Sequence, residues 1–262
     1  MKVKQMDEII VTRKGPIARV TLNRPKQNNA VSLAMWHELA SIFYKLGKQD
    51  DTRVVILTGA GTSFCAGADI NEFGKMRSDP KDVEDYSIAV DECIMAISDI
   101  PKPTIAAVSG YCLGGGCGLA CACDFRLADN TAQFGVPAAK LSIIYDPKET
   151  QNLLALVGLA NAKRILFMAE RLNADEAHKM GLIDEIADDV SQLADDWAAT
   201  MAQLAPLTIA GAKYLLNSFA KTDGGLDPVK AETLMKQASL SEDYAEGRLA
   251  YAEKRTPQFK GS

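Results

Sequence analysis

The sequence predicts an α/β fold, because short buried strands and helices alternate in its first half and helices dominate its second half. Thr104–Val108 has the apolar composition of a buried strand, and residues 117–123 are small enough to form a tightly packed helix. Another apolar strand, residues 53–57, also leads into a glycine-containing turn. From Asp146 onward the pattern is mostly helical.

The first half of the chain contains several further strand and helix signals. Residues 8–12 and Ile17–Leu22 alternate like a hairpin, and Ser32 is placed to cap a helix. The apolar face of that helix consists of Leu33, Trp36, Leu39, Ala40 and Phe43. Phe125–Ala128 and residues 132–134 are short strands on either side of an Asp-Asn turn. The strand-strand-helix order recurs, but too irregularly to predict a solenoid from the residues alone.

Capping residues mark two helices in the second half. Asn173 and Glu176 are spaced to cap a helix that stops at Gly181. Pro206 suits the first turn of another helix. We expect that helix to bury a stripe formed by Ile209, Ala212, Leu215, Leu216 and Phe219.

Composition excludes several classes of protein. A chain of 262 residues with 47% hydrophobic content can bury a large core, and no linker divides it. The formal net charge of -5 argues against nucleic acid and anionic membrane surfaces as partners. No apolar run approaches the roughly 20 residues of a membrane helix, so we expect a soluble, cytoplasmic protein.

The cysteines and histidines give no sign of a metal site. The six cysteines lack zinc-ligand spacing, so we expect them to be reduced, buried side chains. His37 and His178 lie off the apolar stripes of their helices, and we expect both to be solvated.

Two glycine turns predict a binding site for negative charge. Gly114-Gly115-Gly116 lies between a strand and a helix, where unpaired N–H groups meet the positive end of the helix dipole. Nucleotide-binding loops do not fit, because Cys117 and Gly118 stand where their motifs need other residues. A second small-residue turn, residues 58–70, follows the strand at 53–57. Two such turns can each direct one N–H at the same oxygen, which predicts an oxyanion hole.

Five short segments occur in a fixed order along nearly the whole chain. They are Leu22-Asn23-Arg24-Pro25, Ala66-Gly67-Ala68-Asp69-Ile70, Gly114-Gly115-Gly116, Ala132-Gln133-Phe134-Gly135 and Glu253-Lys254-Arg255. Their order and spacing resemble the crotonase (enoyl-CoA hydratase/isomerase) superfamily. The resemblance implies a crotonase-like spiral of ββα turns with an acyl-CoA site over residues 1–195. It also implies a C-terminal helical region, residues 196–262, that is used in trimerisation, with a homotrimer or a hexamer of two trimers as the assembly.

The resemblance implies an acyl-CoA substrate and no cofactor or metal beyond the CoA moiety. By motif match, Ala68 and Gly115 donate the two N–H groups of the oxyanion hole, which would stabilise an enolate or a tetrahedral anion. The family pattern also implies positions for CoA. These are the backbone of Ala66, Ala68, Asp69 and Ile70, with Lys26 near the pantetheine and phosphates and Tyr251 and Lys254 near the adenosine end.

The acid-base residues depart from the pattern of the superfamily. Enoyl-CoA hydratases carry two glutamates at places that Gly118 and Ala138 occupy here, and neither residue can polarise water. By position, Asp146 matches a functional Asp of dienoyl-CoA isomerases and aryl-CoA dehalogenases. Tyr145 matches an active-site Tyr of methylmalonyl-CoA decarboxylase-like members. Asp146 can equally cap the helix that begins at Pro147, and the two roles are compatible.

These observations predict an enzyme that stabilises a CoA-thioester enolate, with isomerase-type or other non-standard chemistry and with Tyr145 and Asp146 as acid-base candidates. Two alternatives stay open, a decarboxylase of a malonyl-type CoA thioester and a weakly active protein that binds CoA thioesters. Lys140 and Glu149 are weaker candidates, and we expect both to be solvated.

Overall fold

The computed structural model describes residues 8–69, 72, 80–220 and 225–262. Within these residues the strands are β1 (Ile9–Lys14), β2 (Ile17–Leu22), β3 (Val54–Gly59), β4 (Thr104–Val108), β5 (Tyr111–Leu113), β6 (Phe125–Ala128), β7 (Gln133–Gly135), β8 (Leu172–Asn173) and β9 (Glu185–Ile186). The α-helices are α1 (Leu33–Gly47), α2 (Pro80–Asp99), α3 (Gly115–Ala122), α4 (Pro147–Met168), α5 (Ala174–Lys179), α6 (Val190–Ala202), α7 (Pro206–Ala220), α8 (Pro228–Leu240) and α9 (Glu242–Glu253). Two short 3₁₀ helices, Pro25–Gln27 and Pro137–Leu141, complete this part of the chain.

The strands form two sheets. The larger sheet has the order β1-β2-β3-β4-β6-β9, and only its β1–β2 hairpin is antiparallel. The smaller sheet has the order β5-β7-β8. All five residues of β4 are buried, which is typical of a parallel strand covered on both faces. The prediction of an α/β fold is confirmed.

A strand-strand-helix unit recurs along the chain. In β4–β5–α3 and in β6–β7–α4, the first strand joins the larger sheet and the second joins the smaller one. After β3, Cys65 forms an isolated bridge to Cys112 of β5, and α2 follows. In each of these units the helix therefore follows a strand of the smaller sheet, and α3 begins directly after β5.

Local capping explains where several helices begin. The Ser32 side chain accepts a hydrogen bond from Met35 N at 3.3 Å, as the sequence predicts for the start of α1. Asn173 and Glu176 form a reciprocal capping box at α5. The chain leaves α5 through Gly181, whose φ is +77°. These capping predictions are confirmed.

The C-terminal helices differ from expectation in one respect. The sequence predicts that α7 buries its apolar stripe, but Leu216 is 67% exposed and Phe219 is 68% exposed in the single chain. Other large apolar side chains of α8 and α9 are exposed as well, namely Val229, Met235, Leu240, Tyr244, Leu249 and Tyr251. The predicted domain boundary after residue 195 falls inside α6, whose buried residues pack against the larger sheet.

The cysteine and histidine predictions agree with the structure. All six cysteines are free and buried, and His37 and His178 are exposed. Over the residues described, no helix combines the length and apolar character needed to cross a membrane. In the same residues, no three His, Cys, Asp or Glu side chains are grouped so that they could hold a metal ion.

Candidate active site

A cavity of about 310 Å³ lies where the turn before α3 faces the segment around Ala68. Its wall includes Ala68, Gly115, Tyr145 and Asp146, the four residues that the sequence predicts to be catalytic. Ala66 also lines it, whereas Ile70 lies outside the described residues. The remaining lining is largely apolar and comes from α1, α2, the second 3₁₀ helix and the start of α4.

Ala68 is held in place by the loop that follows β2. The buried Asn29 side chain donates hydrogen bonds to Ala60 O at 2.9 Å and Ser63 O at 2.6 Å, which ties the two loops together. Val31 N donates to Gly67 O, and Asp69 N donates to Val31 O. Because these neighbours make the bonds of the Val31–Ala68 bridge, the Ala68 N–H points to the opposite side.

Gly115 is held by the smaller sheet. Gly114 N donates to Gly135 O at 2.8 Å, and Gly114 then takes a φ of +53° to start α3. Because Gly115 is the first residue of α3, no carbonyl oxygen of a preceding helical turn is available to accept a hydrogen bond from its N–H.

The two N–H groups lie close together. A Cβ built on Gly115 would lie 3.8 Å from Ala68 N, and one built on Gly67 would lie 3.4 Å from Gly115 N. A Cβ on Gly115 would also lie 3.1 Å from the Trp36 ring, so a side chain there would crowd the cavity. Two backbone donors at one cavity, one of them at a helix N-terminus, can stabilise a developing oxyanion.

Asp146 caps α4, as one of the two interpretations predicts. One carboxylate oxygen accepts from Lys148 N at 3.0 Å, and the other accepts from the Ser87 hydroxyl at 3.3 Å. On α2, Asp91 also contacts this carboxylate, and its own pKa rises to about 6 through burial and through Asp146. The capping role is therefore seen directly, and the role as a base stays a prediction.

Tyr145 lies between the start of α4 and the glycine turn. Its hydroxyl donates to Gly114 O at 3.2 Å. Burial, and then the neighbouring Glu149 carboxyl group, raise the pKa of this hydroxyl well above its usual value. Tyr145 therefore remains a neutral hydrogen-bond donor over the physiological pH range.

Glu149 is the residue that sequence reasoning missed. The expectation that it is solvated is wrong, because its side chain is only 5% exposed and lines the cavity. Burial raises the pKa of Glu149 to about 8, with smaller contributions in the same direction from Asp146 and Asp91, while the Tyr145 hydroxyl opposes the rise. Lys140 is exposed, as expected, and its ammonium group donates to Ala169 O at 2.7 Å.

The other residues expected to contact CoA lie outside this cavity. Lys26, Tyr251 and Lys254 are all exposed, and Lys254 caps the C-terminal end of α9. Asp69 forms an ion pair with Arg24 at 2.9 Å, so its carboxylate already has a partner.

A second, larger cavity of about 480 Å³ lies beneath α7. Two of its charged residues, Lys213 and Asp124, form an ion pair at 2.8 Å. Because the predicted backbone donors do not line it, this cavity does not have the features of the predicted reaction site.

Comparison with known proteins identifies the family. The family model described as enoyl-CoA hydratase/isomerase matches residues 12–262. The chain belongs to the enoyl-CoA hydratase/isomerase family. It is thus a member of an enzyme family that processes acyl-CoA.

Individual members of the enoyl-CoA hydratase/isomerase family resemble the chain over almost its whole length. The short-chain-enoyl-CoA hydratase of Clostridium acetobutylicum is 32% identical over 96% of this chain and 97% of the relative. The 2,3-dehydroadipyl-CoA hydratase of Escherichia coli is 32% identical over 98% of this chain and all of the relative (100%). The crystal structure of an enoyl-CoA hydratase/carnithine racemase from Magnetospirillum magneticum superposes with a TM-score of 0.92 at 34% identity, covering 98% of this chain and 97% of that one.

Proposed function

We propose that this member of the enoyl-CoA hydratase/isomerase family is an isomerase that shifts the double bond of an enoyl-CoA through a thioester enolate. The observation that carries the proposal is the placement of the Ala68 and Gly115 N–H groups at one largely apolar cavity. A thioester carbonyl oxygen that accepts from both groups gains stabilisation as it acquires negative charge, and loss of one such donor typically costs about 10²–10³ in rate.

The residues at the cavity favour isomerisation over hydration. Hydration requires groups that hold and activate water, and the places of the two hydratase glutamates are taken by Gly118 and Ala138. A double-bond shift needs one group that takes a proton from carbon and returns it two carbons away. The apolar wall that Leu141, Ile143 and Ile144 supply suits an acyl chain better than a water molecule.

The CoA moiety is proposed to follow the backbone of Ala66, Ala68 and Asp69. Asp69 would contribute only its main chain, since Arg24 holds its carboxylate. The exposed Lys26 would lie near the pantetheine and phosphates, and the exposed Tyr251 and Lys254 near the adenosine end, where each exposed ion pair adds little free energy. No cofactor beyond the CoA of the substrate is proposed.

The apolar side chains left exposed on α7, α8 and α9 support the proposal of a homotrimer or a hexamer of two trimers. Leu216 and Phe219 on α7 are the two largest exposed apolar groups of the predicted stripe. Light scattering of Leu216→Lys and Phe219→Lys, each beside the wild type, tests this assignment. We expect smaller assemblies from both variants, and unchanged masses would remove α7 from the interface.

The proposed reaction is tested by offering the wild-type protein a 3-enoyl-CoA. Formation of the conjugated 2-enoyl thioester, followed by its absorbance, is the expected result. Methylmalonyl-CoA is the matched comparison for the decarboxylase alternative. Release of CO₂ without isomerisation would replace the proposal with decarboxylation, and binding without turnover of either thioester would leave a CoA-thioester binding protein.

A further inference from the structure

Glu149 presents a buried carboxyl group with one unpartnered oxygen. Its Oε1 has no hydrogen-bond donor among the described residues, although the side chain is only 5% exposed. An unpaired buried polar group costs free energy that a purely structural residue would avoid. Such a group at the wall of a reaction cavity indicates a partner that arrives with the substrate.

The Glu149 carboxyl group fits against α3 because Gly118 has no side chain. A Cβ built on Gly118 would overlap the Glu149 Oε1 atom. The carboxyl group that reaches over from α4 therefore occupies the space in which a side chain of α3 would begin. Gly118 lies three residues after Gly115, and residues three apart on a helix are neighbours at about 5–6 Å. The carboxyl group thus lies about one helical turn from the proposed oxyanion donor.

The described groups that interact electrostatically with Glu149 come from α2, α3 and the start of α4, and those that shift its own pKa are Asp146, Tyr145 and Asp91. From α2 the interacting groups are Asp91, Tyr86 and Cys93, and from α3 they are Cys117 and Cys121. At the start of α4 they are Asp146 and Tyr145, and Lys148 on the same turn acts on Asp91. Tyr86 is already an acceptor, since Trp36 Nε1 donates to its hydroxyl at 2.8 Å. No positive charge is among the groups that shift the pKa of Glu149, so this carboxyl group can exchange a proton near neutral pH.

We propose that Glu149 is the catalytic proton-transfer residue of this site, reaching from α4 into the space that Gly118 leaves open. The assignment rests on the proposed function and identifies the group that moves the proton. It places the chemistry on a residue other than Tyr145 and Asp146.

The step balances with one carboxylate. The carboxylate of Glu149 takes a proton from C2 of a 3-enoyl-CoA, and the C–H electron pair forms a dienolate whose oxygen accepts from Ala68 and Gly115. The carboxylic acid then returns the proton to C4, which restores the thioester carbonyl and leaves the double bond between C2 and C3. No oxidant, reductant or water enters the reaction.

The neighbouring candidates are less suited to this step. Both oxygens of Asp146 already accept hydrogen bonds, one of which caps α4. Tyr145 keeps its proton and directs it to Gly114 O. We assign to Asp146 the positioning of the helix that carries Glu149, and to Tyr145 the support of the glycine turn.

The test compares Glu149→Gln with Asp146→Asn. The first replacement keeps the size of the side chain and removes the proton-transfer group, whereas the second keeps a capping side chain. Two readouts are used, namely isomerisation of a 3-enoyl-CoA and solvent-deuterium exchange at C2 of butyryl-CoA. We expect Glu149→Gln to lose about 10²-fold or more in both rates, which is the usual contribution of a general base. Asp146→Asn removes a charge that raises the pKa of Glu149, so it should retain more activity than Glu149→Gln, with its pH profile shifted to lower pH.

The dependence of rate on pH is a third readout, and a structural role would not produce it. If Glu149 acts as a base, kcat/KM should rise about tenfold per pH unit below its pKa and level off near pH 8. Gly118→Ala retains the carboxyl group but displaces it, so its rates should fall although Glu149 is unchanged. Binding of butyryl-CoA by calorimetry shows whether each variant still has a folded site.

The outcomes separate this assignment from the proposed function. Wild-type exchange without isomerisation, abolished in Glu149→Gln, would overturn the isomerase proposal and support Glu149. Isomerisation that persists in Glu149→Gln would overturn the assignment and leave the isomerase proposal standing. A wild type that does neither would overturn both.

Discussion

Replacement of Glu149 by Gln should make the stability of the protein less dependent on pH. In the folded chain the pKa of Glu149 rises from 4.5 to about 8, chiefly through burial. The folded state therefore binds this proton more tightly than the unfolded state. The resulting stabilisation is fully present below the unfolded pKa and is lost as the pH rises through about 8.

The size of the effect follows from the pKa difference. Each pKa unit corresponds to about 1.4 kcal/mol, so the rise from 4.5 to about 8 corresponds to about 5 kcal/mol as an upper bound. Some water entering the cavity would reduce this value, and we expect about 3 kcal/mol or more. Glu149→Gln removes the ionisation while keeping the shape of the side chain. The variant should therefore gain stability relative to the wild type as the pH rises from 5 to 9.

Urea unfolding at a series of pH values and one protein concentration measures this difference. Glu38→Gln, on an exposed part of α1, is the matched control and should change the free energy of unfolding by about 0.5 kcal/mol or less at every pH. If Glu149→Gln and wild type gave parallel stability curves between pH 5 and pH 9, Glu149 would titrate like a solvated carboxylate, and the reasoning from burial would be refuted.

Three further predictions concern the oxyanion hole and its surroundings. Gly115→Val, whose Cβ would lie 3.1 Å from the Trp36 ring, should lose at least about 10²-fold in turnover while still forming the native assembly, measured by kinetics and light scattering. Wild-type turnover would remove Gly115 from the mechanism. Crotonyl-CoA hydration should run about 10²–10⁴-fold below that of a two-glutamate hydratase assayed alongside, and rapid loss of enoyl absorbance would contradict this. Asp146→Ala should cost about 1 kcal/mol in unfolding free energy, because it removes the cap of α4, and an unchanged melting temperature would contradict that role.

Much of the fold follows from local sequence signals. Thr104–Val108 is buried at every position, as expected of a continuous apolar run between helices. Ser32 and Asn173 cap the helices that their spacing predicts. The segments around Ala68 and Gly115 also meet at one cavity, because Cys65, just before the first segment, forms a bridge to Cys112 of β5, which leads into the second.

Other features depend on contacts between distant parts of the chain. The apolar stripe of α7 has the correct period, but Leu216 and Phe219 remain exposed because none of the described segments of the chain covers them. Glu149 was expected to be solvated, but it is buried in the first turn of α4. Its burial depends on the packing of α4 against α3 at Gly118, and residues 31 positions apart in sequence give no local sign of that contact. The glycine at position 118 of α3, together with the long side chain of Glu149 on α4, is the pattern that could have predicted this burial.

The same contact explains why the helix dipole does not determine the ionisation of Glu149. A carboxylate in the first turn of a helix normally gains about 0.3–1 kcal/mol from the dipole, which favours its charged form. Glu149 stands in the first turn of α4, yet its pKa rises because burial penalises the charge by more than the dipole returns. If water reached the Glu149 carboxyl group, the burial penalty would fall and the helix dipole would then favour the charged form. The proposed substrate instead brings a C–H group whose proton the carboxylate can accept. The free protein therefore keeps the energetic cost of burying Glu149, because that burial places the pKa where proton transfer can occur near neutral pH.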